Sequence, residues 1–214
     1  MASPFGPPFR MPRHYVVEFF FRLLDGLGFF RLYELVSNAL ATHTRRLTDR
    51  EVTVLRGVFG ESLPYDRIRI DEYARLGPRR YRFFYVSFHT INSWGPMPDD
   101  ILVHEAVHVW QYRRVGAVYI PRALRAQRSL MGYNYNGVAG LRYVLDPNRP
   151  ALSYEQQADP ALNYEQQADA VADWFRLNNG LPARWLGEYD DRDEALKLLT
   201  RLVEMLKEKD DGCR

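Results

Sequence analysis

Residues 99 to 114 read DDILVHEAVHVWQYRR, and the fold is decided there. Pro98 and the acidic pair Asp99 and Asp100 open a helix, and Gly116 stops it just after Arg113 and Arg114, so both charge clusters suit the helix dipole. Leu102, Val103, Ala106, Val107 and Trp110 supply the apolar flanks of a helix enclosed by other elements. Within it, His104, Glu105 and His108 form HExxH. Residues four apart are neighbours on one helical face, so both imidazoles can bind one zinc ion at about 2.0 to 2.1 Å. Glu105 lies about 100° round from His104, close enough to the cleft to act on a water acidified by the metal.

Two histidines leave a catalytic zinc short of its usual third protein ligand. No histidine follows His108, so a downstream third ligand must be a carboxylate. The chain carries an internal repeat, ALSYEQQADP at 151 to 160 and ALNYEQQADA at 161 to 170, that offers two candidates, Glu155 and Glu165. Each is followed four residues later by an aspartate, Asp159 or Asp169. On a helix this spacing puts the glutamate and the aspartate on one side, the first for the metal and the second for the free ring nitrogen of a ligating histidine. Ten residues advance a helix by about 1000°, which leaves the two glutamates roughly 80° and 15 Å apart, so one metal can use only one of them. Pro160 curtails any helix in the first copy, whereas the second heads a helix of about four turns. Glu165 with Asp169 is therefore the first expectation and Glu155 the alternative, with His89 upstream a third.

Outward from this pair, helix signals dominate. Thr48 and Glu51 form a capping box before Val52, Leu55, Val58 and Phe59, and Gly60 ends that run. Two strand-like segments follow, Arg67 to Ile70 and Tyr81 to Thr90, with Gly77-Pro78 between them. Further helices are expected from Pro121 to Met131, from Asn163 to Gly180 and from about Asp193 to Lys207, and Tyr133 to Gly137 reads as a turn. The chain is thus α+β and mostly helical.

Near the N-terminus, residues 1 to 13 hold four prolines, and Tyr15 to Val36 is the most apolar stretch. Glu18, Arg22 and Asp25 share one face of an amphipathic helix there, and these charges exclude a membrane-spanning helix or a secretory signal. The plain reading is a helix that packs on the core, with a lipid interface or a protein partner's groove as the other uses of its apolar side.

The composition narrows the function classes. The 214 residues are 46% hydrophobic and 26% charged, with a formal charge of +2, which suits one globular domain and gives no electrostatic case for nucleic acid. Arg113, Arg114, Arg122, Arg125 and Arg128 belong to a chain-wide preference for arginine, since only three residues are lysine. The lone cysteine, Cys213, excludes an intrachain disulfide framework and suits the cytoplasm or export by a route that needs no signal peptide.

HEAVHVWQY, with EQQADAVADWF downstream and FGESLPYDRIRI upstream, resembles the bacterial zincin-like metallopeptidases related to the core domain found with extracellular contractile injection systems. The resemblance covers about residues 47 to 178. It implies a gluzincin-type site with Zn2+ on His104, His108 and the EQQA glutamate, Glu105 as general base, and a small sheet beside the active-site helix. The duplicated EQQAD departs from the family's single copy; the longer helix favours Glu165 and the shorter spacing favours Glu155. The chain then divides into an N-terminal lead and amphipathic helix (1 to 46), a zincin-like core (47 to 180) and a C-terminal helix and tail (181 to 214), all within one domain.

A peptide-hydrolysing site also needs a second donor to the developing oxyanion, commonly a phenol. Tyr133 and Tyr135 lie between the two ligand helices, and Tyr154 and Tyr164 precede the candidate glutamates. Three functions are compatible with these residues. The first is a zinc peptidase acting on a peptide or protein. The others are a non-catalytic, zinc-stabilised accessory module of a secretion system and a secreted, toxin-like protease.

Overall fold

The computed structural model describes residues 13–40, 43–74, 84–146 and 162–208. In chain order these form α1 (Arg13–Gly26), α2 (Phe29–Leu40), β1 (Thr44–Arg46), α3 (Asp49–Phe59), β2 (Arg69–Asp71), β3 (Tyr85–Ser87) and β4 (Thr90–Asn92). Then follow α4 (Asp99–Val115), a 3-10 turn (Gly116–Val118), α5 (Tyr119–Gln127), α6 (Gly137–Leu145), α7 (Tyr164–Asn178) and α8 (Arg192–Glu208). The first EQQAD copy, with Tyr154, Glu155 and Asp159, and the Gly77-Pro78 turn lie outside the described residues.

Helix α4 is the axis of the molecule. Every residue from Leu102 to Tyr112 is buried, so the central three turns have no solvent face, and the helix length is set by Pro98 at one end and Gly116 at the other. Helix α7 packs along it with Ala168 and Val171 fully buried. Gln111 meets Tyr164 while His104 meets Asp169, so the two helices run antiparallel. The Asn163 and Gln166 capping box starts α7 immediately ahead of Glu165. Helix α3, opened by the Thr48 and Glu51 box, covers another side of α4 with Leu55, Val58 and Phe59. A second apolar cluster, built on Tyr135, Leu141 and Leu199, joins α6, α7 and α8, and Trp174 packs against both clusters.

The small sheet has the order β1-β2-β4-β3, with β2 and β4 parallel and the outer pairs antiparallel. Strand β3 is one of its two edges, the other being β1, and it lies beside α4. The segment expected as one strand from Tyr81 to Thr90 is instead a hairpin that turns at Phe88 and His89, while residues 81 to 83 lie outside the description. Phe88 takes φ 61°, unusual for so bulky a side chain, because its ring is anchored between Phe30 and Tyr112, each 5.3 Å away between centroids. Three other expectations shift. Tyr15 to Val36 is two helices broken at Leu27-Gly28; the helix placed at Pro121 to Met131 runs instead over Tyr119–Gln127; and Asn136, in the left-handed region at φ 65°, leads directly into α6. No helix among the described residues is long and apolar enough to cross a membrane.

Candidate metal centre

One turn of α4 and the first turn of α7 bring three buried donors together. Glu165 Oε2 lies 3.4 Å from His104 Nε2 and 3.4 Å from His108 Nε2. Donors about 2.0 to 2.2 Å from a tetrahedral ion stand roughly 3.3 to 3.5 Å from one another, which is the separation of Glu165 from each imidazole. Glu165 is 1% exposed, yet its Oε2 has no hydrogen-bond partner. A buried, unpartnered carboxylate oxygen facing two imidazole nitrogens is costly unless something binds all three, and a divalent cation satisfies the set. The residues present therefore fit a metal ion, and His104, His108 and Glu165 are a buried group able to hold one.

Each donor is aimed by a further side chain. His104 Nδ1 meets Asp169 Oδ1 at 2.7 Å, as the Glu-x-x-x-Asp spacing anticipates. Asp169 in turn accepts the Trp185 indole N–H at 2.5 Å, and the Trp185 loop is pinned by its own and the Arg184 backbone N–H donating to Asp173. His108 Nδ1 meets Gln111 Oε1 at 2.8 Å, while the Gln111 amide donates to the Tyr164 carbonyl at 2.9 Å. Because the Gln111 amide nitrogen is committed to that carbonyl, its oxygen can only accept, so the His108 proton sits on Nδ1 and Nε2 is free to ligate. Gln127 donates to Glu165 Oε1 at 2.9 Å, leaving Oε2 to face the two imidazoles.

Sequence reasoning missed Gln111, Gln127, Trp185 and Asp173. Of these Gln111 carried a local signal, the helical i, i+3 spacing from His108. Asp173 also had one, the i, i+4 spacing from Asp169 on α7, while Gln127 and Trp185 reach the site from separate elements.

Electrostatics follow from this burial. Burial alone would lower the His104 imidazole, but the Asp169 and Glu165 carboxylates outweigh it and push it up to about 10. The same opposition raises His108, with Glu165 the larger favourable influence. Glu165 is destabilised by burial yet held well below the usual carboxylate range by the two imidazoles. Burial raises the Glu105 carboxyl, and the two histidines offset it only in part. Glu105 is 5% exposed and its Oε2 also has no hydrogen-bond partner.

All four residues line a cleft of about 350 Å³ whose remaining wall is mostly apolar or aromatic, including Val86, Ile120 and Leu124. The edge strand contributes Tyr85 and Val86 to that wall, together with Phe84 just before it. Tyr133 lines the cleft, its ring centroid 6.1 Å from that of His104, and burial with Glu165 and Glu105 nearby raises its phenol, so it stays protonated. The other expected tyrosines are placed elsewhere. Tyr135 is 1% exposed in the second core cluster and donates to Asp173 at 2.8 Å. The Tyr164 hydroxyl accepts from Arg122 at 3.1 Å. Tyr119 also faces the cleft, but its hydroxyl is spent on the Val86 carbonyl. His89 is not a ligand; it is paired with Glu34 at 2.9 Å and packs on Tyr112. The arginines of the 113 to 128 region with described contacts serve the fold: Arg113 donates to the Ser62 carbonyl, Arg114 lies over the Trp110 ring, and Arg122 and Arg125 pair with Glu18.

Comparison with known proteins gives one distant likeness. The chain is 26% identical over 130 residues, 54% of its own length, to the type VI secretion system spike protein VgrG2b of Pseudomonas aeruginosa. That alignment spans 12% of the spike protein, so the similarity is to a small part of a much longer bacterial chain. No family model matches the sequence, and no solved structure matches it.

Proposed function

We propose that this chain is a zinc-dependent peptidase of gluzincin type that works in association with a bacterial secretion system. The observation that carries the proposal is the buried Glu105 carboxyl, its Oε2 without a hydrogen-bond partner, beside three clustered donors able to hold a metal on the wall of one cleft. A purely structural zinc site closes with four protein ligands and has no use for a base at this position. Zinc held by His104, His108 and Glu165 would supply Lewis acidity, acidifying water and polarising the scissile carbonyl.

The chain's own residues do the rest. Glu105 takes the proton released by the attacking water and returns it to the departing amine, a task suited to a carboxyl raised toward neutral pH. The Tyr133 hydroxyl donates to the developing oxyanion. The strand Tyr85–Ser87 runs along the cleft where an extended peptide would lie, and the apolar wall receives its side chains. The likeness to a segment of a spike protein supports delivery by such an apparatus, in which case the substrate is met after export.

Glu105→Gln keeps the shape of the site and removes the base. The variant is expected to bind zinc with unchanged stoichiometry and to cleave a peptide library about 10²- to 10⁴-fold more slowly than the wild type. Equal cleavage by the two would remove Glu105 from the chemistry. A wild type that binds zinc and cleaves nothing would favour the accessory-module reading.

A further inference from the structure

Helices α1 and α2 sort their charges in an unusual direction. All three acidic side chains of Tyr15 to Val36 turn toward the protein. Glu18 pairs with Arg122 at 2.7 Å and Arg125 at 3.7 Å, Asp25 accepts the Ala117 N–H at 3.0 Å, and Glu34 takes both the backbone and the ring of His89 at 3.0 and 2.9 Å. The two arginines of the same stretch, Arg22 and Arg31, are exposed.

These arginines flank an outer face that is apolar. Phe19 is 61% exposed, Phe20 54%, Leu23 46%, Leu27 73%, Phe29 52% and Leu32 61%. A chain gains nothing in water from holding so many large apolar side chains outward while its carboxylates are consumed inside.

We propose that this helical hairpin docks the protein onto an anionic lipid surface. The outward chemistry fits that occupant: aromatic and aliphatic side chains enter the boundary between headgroups and acyl chains, and guanidinium groups meet the phosphates, while the three acidic side chains of Tyr15 to Val36 are turned away from it. The helices have 14 and 12 residues, about 20 Å each, so they lie along the interface and do not cross it. A second copy of the chain is a poorer occupant, since it would present the same positive sign. Docking would also orient the cleft. The Glu18 ion pairs seat α1 on α5, and Ile120, Leu124 and Gln127 of α5 line the cleft, so the site would work on chains near the bilayer.

The test is sedimentation of the full chain with vesicles of phosphatidylcholine alone and of phosphatidylcholine mixed with phosphatidylglycerol. The wild type is expected to sediment with the mixed vesicles, weakly with the neutral ones, and less as salt is added. Arg22→Gln with Arg31→Gln should weaken binding by about fivefold for each arginine. Phe20→Ser with Leu32→Ser should abolish it, and both variants should keep the far-ultraviolet circular dichroism and the zinc content of the wild type. Three results overturn the proposal: no binding to the mixed vesicles, equal binding to both kinds, or a stable dimer that Phe20→Ser with Leu32→Ser dissociates. None of these readings depends on peptidase activity, so this proposal and the enzymatic one fail separately.

Discussion

Gln111 shows how much of the candidate centre rests on one neutral side chain. Its oxygen orients the His108 imidazole, and its amide ties α4 to the Tyr164 carbonyl at the start of α7. Removing an outer partner of this kind costs about 10- to 100-fold in metal affinity. Gln111→Ala should therefore bind zinc about that much more weakly in competition with a chromophoric chelator, and an unchanged affinity would mean that something else fixes the ring. The histidines and carboxylates also give the metal-free chain a distinctive pH response. The His104 pKa is raised to about 10 from an unfolded value of about 6.5, so its contribution to stability is complete below about pH 6.5 and is lost as pH rises through 10. Glu165 is lowered, so its contribution is complete above about pH 4.5 and is lost as pH falls through the depressed folded value. Urea midpoints measured with a chelator present should accordingly decline from about pH 6.5 toward pH 10, and the raised Glu105 carboxyl adds to the loss as it ionises. Zinc binding should strengthen over the same upper range, because protons leave the histidines as the metal enters.

At the scale of elements, the sequence was most legible where local chemistry sets a boundary. The Thr48 and Asn163 capping boxes and the stops at Gly60 and Gly116 place α3, α4 and α7 within a residue or two, and α4 with α7 is enough to bring His104, His108, Glu165 and Asp169 together. It was least legible where tertiary contacts override local preference. Phe88-His89 has no turn chemistry and reads as strand, and only the aromatic socket of Phe30 and Tyr112 makes it a corner. The spacing puts Glu18, Arg22 and Asp25 on one face of the N-terminal helix without saying where that face points, and Arg122 and the Ala117 N–H draw Glu18 and Asp25 inward. Gly116 marks that junction. It holds φ 70° with ψ −161°, a combination nearly confined to glycine, and a Cβ there would collide with the Asp25 carboxylate. Gly116→Ala should cost about 1 to 3 kcal/mol in denaturant unfolding, and a loss smaller than this would mean that α1 can shift to accept the methyl group.

At the scale of the whole molecule, the candidate centre is placed to fasten the fold, whatever chemistry it performs. His104 and His108 belong to the buried axis α4, Glu165 belongs to α7, and Trp174 of α7 packs against both apolar clusters, so an ion bound by these three side chains ties the two halves of the core together. A ligand that binds only the folded state adds about 2.7 kcal/mol when its free concentration is 100 times its dissociation constant. For a chain of this length each kcal/mol raises the unfolding temperature by about 2 to 4 °C, so zinc at that excess should raise it by roughly 5 to 11 °C over chelator-treated protein. Glu165→Ala should lose most of that increment, because the mutation removes the ligand from α7 and leaves both zinc ligands on one helix. Glu105→Gln should keep it, because Glu105 is not among the three clustered donors. The two variants thus separate fastening from chemistry: a zinc-induced shift that survived Glu165→Ala in full would place the third ligand elsewhere in the chain, while a shift lost in Glu105→Gln would make Glu105 part of the metal's own coordination.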